Sequence, residues 1–157
     1  MKNISVAVLA IALLVSCTLS ISTAYANRVQ ERPFKATGSG SAVALSAPPV
    51  LEIVVTGNGH ATHMGKIGIW QHHFVDITTM TFYDGIFVWT AANGDTIEGS
   101  YSGYLVPTSV GFEIHGSFTI EGGTGRFAGA YGGGSASGMQ YYDNSADLAL
   151  DGMITYG

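Results

Sequence analysis

The chain has 157 residues and a formal net charge of −5, from 6 Lys and Arg residues against 11 Asp and Glu residues. An acidic chain without a basic cluster is poorly suited to bind nucleic acid or an anionic membrane surface, so we expect neither as a partner. Its single cysteine, Cys17, lies in an N-terminal apolar segment, so the rest of the chain has no thiol for a disulfide.

The first 26 residues have the features of a secretory signal peptide. Lys2 supplies a positive charge, residues 4–15 form an apolar run, and Ala24-Tyr25-Ala26 matches a small-x-small cleavage site. The run is shorter than the ~20 residues of a membrane-spanning helix, so no transmembrane span is expected in the mature chain. Cleavage after Ala26 predicts an exported protein, periplasmic or extracellular.

The same segment contains a second processing signal. Leu14-Val15-Ser16-Cys17 resembles a bacterial lipobox, in which the cysteine becomes the lipidated first residue. Lipidation at Cys17 would make the exported protein lipid-anchored instead of soluble. Because residues 18–26 resemble the end of a signal peptide more than a polar tether, cleavage after Ala26 is the favoured prediction.

After residues 1–26 the composition changes twice. Residues 27–34 are polar and have no hydrophobic period, which predicts a flexible N-terminal segment. All 22 glycines lie from Gly38 onward, among branched and aromatic residues. This composition is typical of short twisted strands, and we expect one β-barrel domain over residues 35–157.

Eight segments of this domain alternate between apolar and polar residues or are rich in branched and aromatic ones. They are residues 35–46, 51–62, 66–77, 80–90, 96–106, 112–120, 126–142 and 146–156. Asn93-Gly94 is a tight hairpin signal, and Gly122 to Gly125 is predicted as a turn. No segment has a helical period. The pattern predicts an all-β fold, a single antiparallel barrel of about eight strands, with a β-sandwich as the alternative.

The alternation also predicts which side chains face the barrel lumen. Because side chains along a strand have a period of two, the face with the large apolar groups must be the buried one. This gives five lumen residues: Ile97, Tyr101, Phe112, Ile114 and Phe118. Their polar neighbours should face solvent: Glu113, His115 and Thr119. The aromatic residues either fill the interior or line a cavity for a small apolar ligand, which the hydroxyl of Tyr101 would orient.

Three other patterns are weaker. Residues 123–128 match the dinucleotide motif G-x-G-x-x-A, but the glycine-rich run that follows cannot form the helix that binds pyrophosphate. Histidines at 60 and 63, or at 72 and 73, point to opposite faces of a strand, which favours ordinary surface or core histidines over a metal site. Glu98, Glu113, His115 and Glu121 could act in acid/base catalysis, but the alternation places them on a solvated outer face. No catalytic residue, metal or cofactor is predicted.

Two segments resemble a known superfamily. Residues 118–132, with the turn Gly122-Gly123-Thr124-Gly125-Arg126-Phe127, and the preceding hairpin at 90–103 resemble the allene oxide cyclase and dirigent-like barrels, most of all their small exported bacterial members. The resemblance implies an eight-stranded barrel, often a homotrimer. In the plant members it implies either cyclisation of an unsaturated fatty-acid epoxide or the steering of phenoxy-radical coupling. No catalytic residue of those proteins matches a position here.

Together these patterns predict an exported, non-catalytic β-barrel protein, either a carrier of a small apolar ligand in its lumen or a surface protein with a filled interior. The alternative is a cofactor-free isomerase or cyclase, as the resemblance implies. The sequence does not distinguish a binding protein from an enzyme, because fold analogy alone does not supply a function.

Overall fold

The computed structural model describes residues 30–157. The predicted signal peptide at 1–26, its lipobox at Cys17 and residues 27–29 lie outside the described residues. No helix within residues 30–157 is long and apolar enough to cross a membrane.

Eight antiparallel strands, each paired with the next along the chain, close into one barrel because β1 also pairs with β8. The strands are β1 Glu31–Ala44, β2 Val50–Ala61, β3 Gly65–Asp76, β4 Thr81–Ala91, β5 Thr96–Pro107, β6 Gly111–Gly123, β7 Tyr131–Tyr141 and β8 Ser145–Thr155. The predicted all-β barrel is confirmed. Its closure leaves no free edge, whereas a sandwich would have four.

The up-and-down order gives the barrel two distinct ends. We call the end formed by the turns at 45–49, 77–80, 108–110 and 142–144 the open end. The opposite, closed end is formed by the turns at 62–64, 92–95 and 124–130. The β4–β5 turn contains Asn93 and Gly94, as predicted, and Gly94 has the positive φ (91°) that a tight hairpin requires.

The N-terminal boundary differs from the prediction. Residues 31–34 were expected in the flexible segment, but β1 begins at Glu31 and pairs with β8 from its first residue. Phe34 is completely buried and packs against the rings of Trp89 and Phe118. A polar local sequence therefore concealed a strand, because one buried aromatic and a partner strand more than 100 residues away hold it in place.

The predicted strand at 126–142 is also wrong at its start. The structure has a single 3₁₀ turn over Gly125–Phe127 and begins β7 only at Tyr131. The turn does not span Gly122 to Gly125 either, because Gly122 and Gly123 belong to β6. Phe127 is completely buried beneath the closed end, in edge contact with Tyr156. The glycine-rich loop therefore serves to bring one aromatic ring across the barrel end.

The interior is packed solid in the closed half. Trp89, Ile97, Ile120 and Ile154 are almost completely buried there, above the plug that Phe127 forms. An eight-stranded barrel is just wide enough for side chains to fill it, and at this level large groups come from every side. Any site for a small molecule must therefore lie toward the open end.

Candidate functional site

The open half of the lumen contains a cavity of about 480 Å³. It is hollow because the residues on opposite walls differ in size. One wall, centred on β1, has small inward residues: Gly38, Gly40, Ala42 and Ala44, with Ala136 on β7 and Ala146 on β8 beside them. Larger residues of β7 and β8 also line the cavity: Gln140, Leu148 and Leu150. The facing wall, from β3 to β6, has large ones: His73, Phe82, Tyr101, Leu105, Phe112 and Ile114. A filled interior and a ligand cavity were alternative predictions from the sequence. The closed half of the barrel is filled, and the open half contains a cavity.

The five residues predicted for the lumen all lie inside the barrel, at different levels. Ile97 is in the packed core of the closed half, and Phe118 lies between that core and the cavity. Tyr101, Phe112 and Ile114 line the cavity.

The polar neighbours on β6 lie on the outer surface. Glu113 and Thr119 are exposed. His115 is half-buried because its ring stacks on Tyr104, and its Nε2 lies 3.4 Å from a carboxylate oxygen of Glu113. The acid/base set considered from the sequence therefore does not converge on the cavity. Glu121 instead accepts a hydrogen bond from Ser100 on the outside of the barrel.

The chemical centre of the cavity is a contact between His73 and Tyr101. The Nδ1 atom of His73 lies 2.7 Å from the hydroxyl oxygen of Tyr101. Both rings pack edgewise or tilted against Phe82, with ring centroids less than 6 Å apart. A polar pair enclosed by an aromatic ring and aliphatic walls has few other partners, so its one hydrogen bond determines how both groups are oriented.

Burial keeps both members of this pair uncharged. Loss of solvent, together with a smaller contribution from the neighbouring His72, lowers the pKa of His73 to about 4. Burial also raises the pKa of the Tyr101 hydroxyl well above its ordinary value. At neutral pH the cavity therefore presents a neutral imidazole and a neutral phenol.

A β-bulge makes this contact possible. His73 is on β3 and Tyr101 is on β5, with β4 between them. The pairing of β4 shifts register on both sides between Phe82 and Ile86, and Asp84 has a positive φ of 49° there. The extra residue places Gly85 opposite Tyr101. Because Gly85 has no side chain, the two rings meet across the intervening strand.

Two further polar groups lie at this level. Gln71, two residues before His73 on the same face of β3, lines the cavity with only 8% of its surface exposed. Trp89 contributes to the floor, and its indole N–H is buried without a hydrogen-bond partner among the described residues. These groups lie in the interior of the cavity, whereas Gln140, Asn144 and Asp147 line it near the mouth.

Adjacent histidines were expected to point to opposite faces, and they do. His72 lies outside, where its Nε2 is 2.9 Å from a carboxylate oxygen of Glu52. His73 lies inside, which the sequence analysis did not single out. Within residues 30–157, no three His, Cys, Asp or Glu side chains come together as a metal site would require. One sequence feature could have pointed to this site: Gly85 interrupts a strand directly after Asp84, and an isolated glycine inside a strand suggests a bulge.

No family model matches this chain, and no curated protein or solved structure shows significant similarity to it. What the protein does must therefore be inferred from the geometry of the cavity.

The depressed pKa of His73 predicts a pH-dependent stability. In the unfolded chain the imidazole binds a proton near its ordinary pKa of 6.5, but in the fold it does so only near 4. The unfolded state therefore binds more protons between these values, and the free energy of unfolding should fall as the pH drops through this window, by up to about 3 kcal/mol. Urea unfolding from pH 7 to pH 4 measures it.

The variant His73→Gln isolates this contribution, because it retains a polar side chain that does not titrate. Its stability should depend less on pH than that of the wild type, whereas His60→Gln on the exposed outer face should leave the wild-type profile unchanged. Parallel profiles for the wild type and His73→Gln would show that His73 is not buried in its neutral form.

Gly85→Ala should disrupt the pair. A Cβ at this position would clash with the backbone oxygen of Tyr101 and lie 2.9 Å from two carbons of its ring, so β5 and the ring must both shift, which should disturb the contact with His73. We expect the imidazole to gain solvent and its pKa to rise toward 6.5, followed by NMR titration of the ring protons. Gly68→Ala is the matched control, because a Cβ there meets nothing within 4 Å. An unchanged titration in Gly85→Ala would refute the role assigned to the bulge.

Proposed function

We propose that this barrel binds a small, mainly apolar molecule in the open half of its lumen. The observation that carries the proposal is an apolar cavity of about 480 Å³ with one partly buried hydrogen-bonded pair, His73 and Tyr101, in its wall. The volume lies in the range of small-molecule sites, roughly 300–1,000 Å³, and such sites combine apolar walls with a few fixed polar groups.

The walls and the polar pair have different roles in this proposal. Leu105, Phe112 and Ile114 supply apolar surface, each Å² of which contributes roughly 25 cal/mol when a ligand covers it. His73 and Tyr101 fix the ligand's orientation, because a ligand group that leaves them unpaired loses affinity. The sequence predicted that Tyr101 would orient a ligand, and we propose that His73, its hydrogen-bond partner, has the same role.

Binding can be measured with prodan, a neutral fluorescent ketone, and with the fluorescence of Trp89 at the cavity floor. The chain has two tryptophans, so Trp70→Phe on the outer surface leaves Trp89 as the sole reporter. We expect prodan to shift its emission to the blue and to quench Trp89. Ile114→Trp should fill the cavity and abolish the blue shift of prodan, whereas Ser117→Trp, exposed on the same strand, should leave the shift intact. Equal binding by the two variants would contradict a lumen site.

A second candidate function is a cofactor-free isomerase. The hydrogen bond between His73 and Tyr101 can be formed with either residue as the donor, and one of these two arrangements favours this candidate. If the Tyr101 hydroxyl donates to Nδ1 of His73, the imidazole presents only an Nε2–H donor to a ligand. If Nδ1–H donates to the tyrosine oxygen instead, Nε2 has a free lone pair and the tyrosine O–H is free to donate. Only the second arrangement can remove a proton from carbon while stabilising the enolate oxygen that forms.

Prodan also tests this alternative, because its ketone has exchangeable α-protons. In deuterated buffer an acid/base pair would take an α-proton onto His73, and return of a deuteron to the same carbon would increase the mass of the dye. A binding protein should leave exchange at the buffer rate, as should His73→Gln. Exchange that is faster with the wild type and lost in His73→Gln would replace the binding proposal with the enzymatic one.

We also propose that the protein is exported and related to the allene oxide cyclase and dirigent-like barrels. Export is supported by the signal-like residues 1–26, and intact mass of the mature protein distinguishes cleavage after Ala26 from lipidation at Cys17. The relationship is supported by the eight-stranded closed barrel together with the residues at 118–132. A homotrimer would require an apolar outer surface, and exposed Trp70 and Ile86 on neighbouring strands are consistent with one.

A further inference from the structure

The charged residues of the barrel are distributed unevenly along its axis. The Lys and Arg side chains among the described residues are all near the closed end: Arg32, Lys35, Lys66 and Arg126. Six carboxylates lie in the half nearer the open end: Glu52, Asp76, Asp84, Glu113, Asp143 and Asp147. The mouth of the cavity is therefore acidic, with no lysine or arginine near it within residues 30–157.

The cavity interior has no positive charge to complement an anion. Among the described residues that line it, none is Lys or Arg, and Asp147 at the rim is the only acidic one. An ionised carboxylate placed deep in this cavity would lose its hydration without gaining a counter-ion, which is strongly unfavourable. The neutral state of His73 has the same physical origin, because the surroundings disfavour any buried charge.

An amphiphilic anion cannot avoid this cost by leaving its head group at the mouth. Asp147 accepts a hydrogen bond from the hydroxyl of Tyr141 at the rim. Asp76 and Asp143 accept hydrogen bonds from Thr78 and Ser145 in the turns of the open end, and these bonds lower the pKa of both carboxyl groups. The rim therefore stays negatively charged in mildly acidic solution and repels anions that approach it.

We infer that the lumen site selects uncharged molecules: an apolar body with one neutral oxygen group, such as an alcohol, ketone or ester, and not a carboxylic acid with the same body. The inference rests on the proposed binding function. The neutral groups of Gln71, His73 and Tyr101 are suited to hydrogen-bond such an oxygen. The absence of a lining cation within residues 30–157 and the acidic rim both act against the carboxylate.

A matched series of ligands tests the inference by displacement of bound prodan at neutral pH and low salt. Lauryl alcohol and methyl laurate should displace the dye, while lauric acid should require at least about tenfold higher concentration. Displacement by lauric acid at the same concentration as the alcohol would overturn the inference while leaving the binding proposal intact. Stronger displacement by laurylamine than by the alcohol would also overturn it. Failure of prodan itself to bind would instead refute the proposed function.

Variants separate the contribution of the rim from that of the interior. Asp76→Asn with Asp143→Asn removes two rim charges without altering a cavity-lining residue. Lauric acid should then bind several-fold more tightly, and the alcohol should be unaffected. Glu31→Gln with Glu98→Gln removes the same charge near the closed end and should change neither affinity. An equal gain in both double variants, or none in the rim variant, would show that the acidic mouth does not contribute to selectivity.

Discussion

The interior of an eight-stranded barrel has a nearly fixed width, so the volume of the inward side chains decides whether each level is solid or hollow. In the closed half, large residues project from all sides and meet beneath Trp89. In the open half, glycine and alanine on β1 face aromatic and branched residues on β3 to β6. The cavity is the volume that the small wall leaves unfilled, and the candidate site depends on that difference in size.

The electrostatics of the site follow from the same enclosure. Since β3 to β6 surround His73 with hydrocarbon, its charged form is disfavoured and its pKa falls to about 4. Six of the carboxylates, and the turns in which Asp76 and Asp143 accept hydrogen bonds, lie toward the mouth, where water still solvates them. The interior is therefore neutral because its walls are apolar, and the rim is acidic because the carboxylates there remain in contact with water. This arrangement gives the site a selectivity that depends on charge as well as on shape.

Much of this architecture could be predicted from local sequence pattern. Alternation over residues 112–120 identified the inward face of β6, because a strand's side chains have a strict period of two. Asn93-Gly94 identified a hairpin tip through its backbone preference. The boundaries failed where long-range packing decides the structure: residues 31–34 form a strand through pairing with β8, and residues 126–130 curl so that Phe127 can plug the closed end.

The pairing of His73 with Tyr101 was beyond local pattern, because it requires the register of three strands at once. Alternation predicts whether a residue faces the lumen or the solvent. It does not predict which lumen residues lie at the same height along the barrel axis, because that height depends on strand register. Here one extra residue in β4 shifts the register and places Gly85 opposite Tyr101. Because glycine has no side chain, nothing separates the two rings at this position. A motif search compares residues near one another in sequence, and these two are 28 positions apart.

The bulge also fixes the geometry of the contact between His73 and Tyr101. Strands on either side of Gly85 are held by their ladders, so the His73–Tyr101 contact is imposed by the sheet and not by the flexibility of either side chain. With the heavy atoms fixed, what remains free is the position of the imidazole proton, on Nε2 or on Nδ1, and with it the direction in which the tyrosine O–H points. One position yields a single donor suited to holding a neutral oxygen, and the other yields an acid beside a base. A ligand that accepts a hydrogen bond from Nε2–H stabilises the first arrangement, which is why we favour binding over catalysis for this barrel.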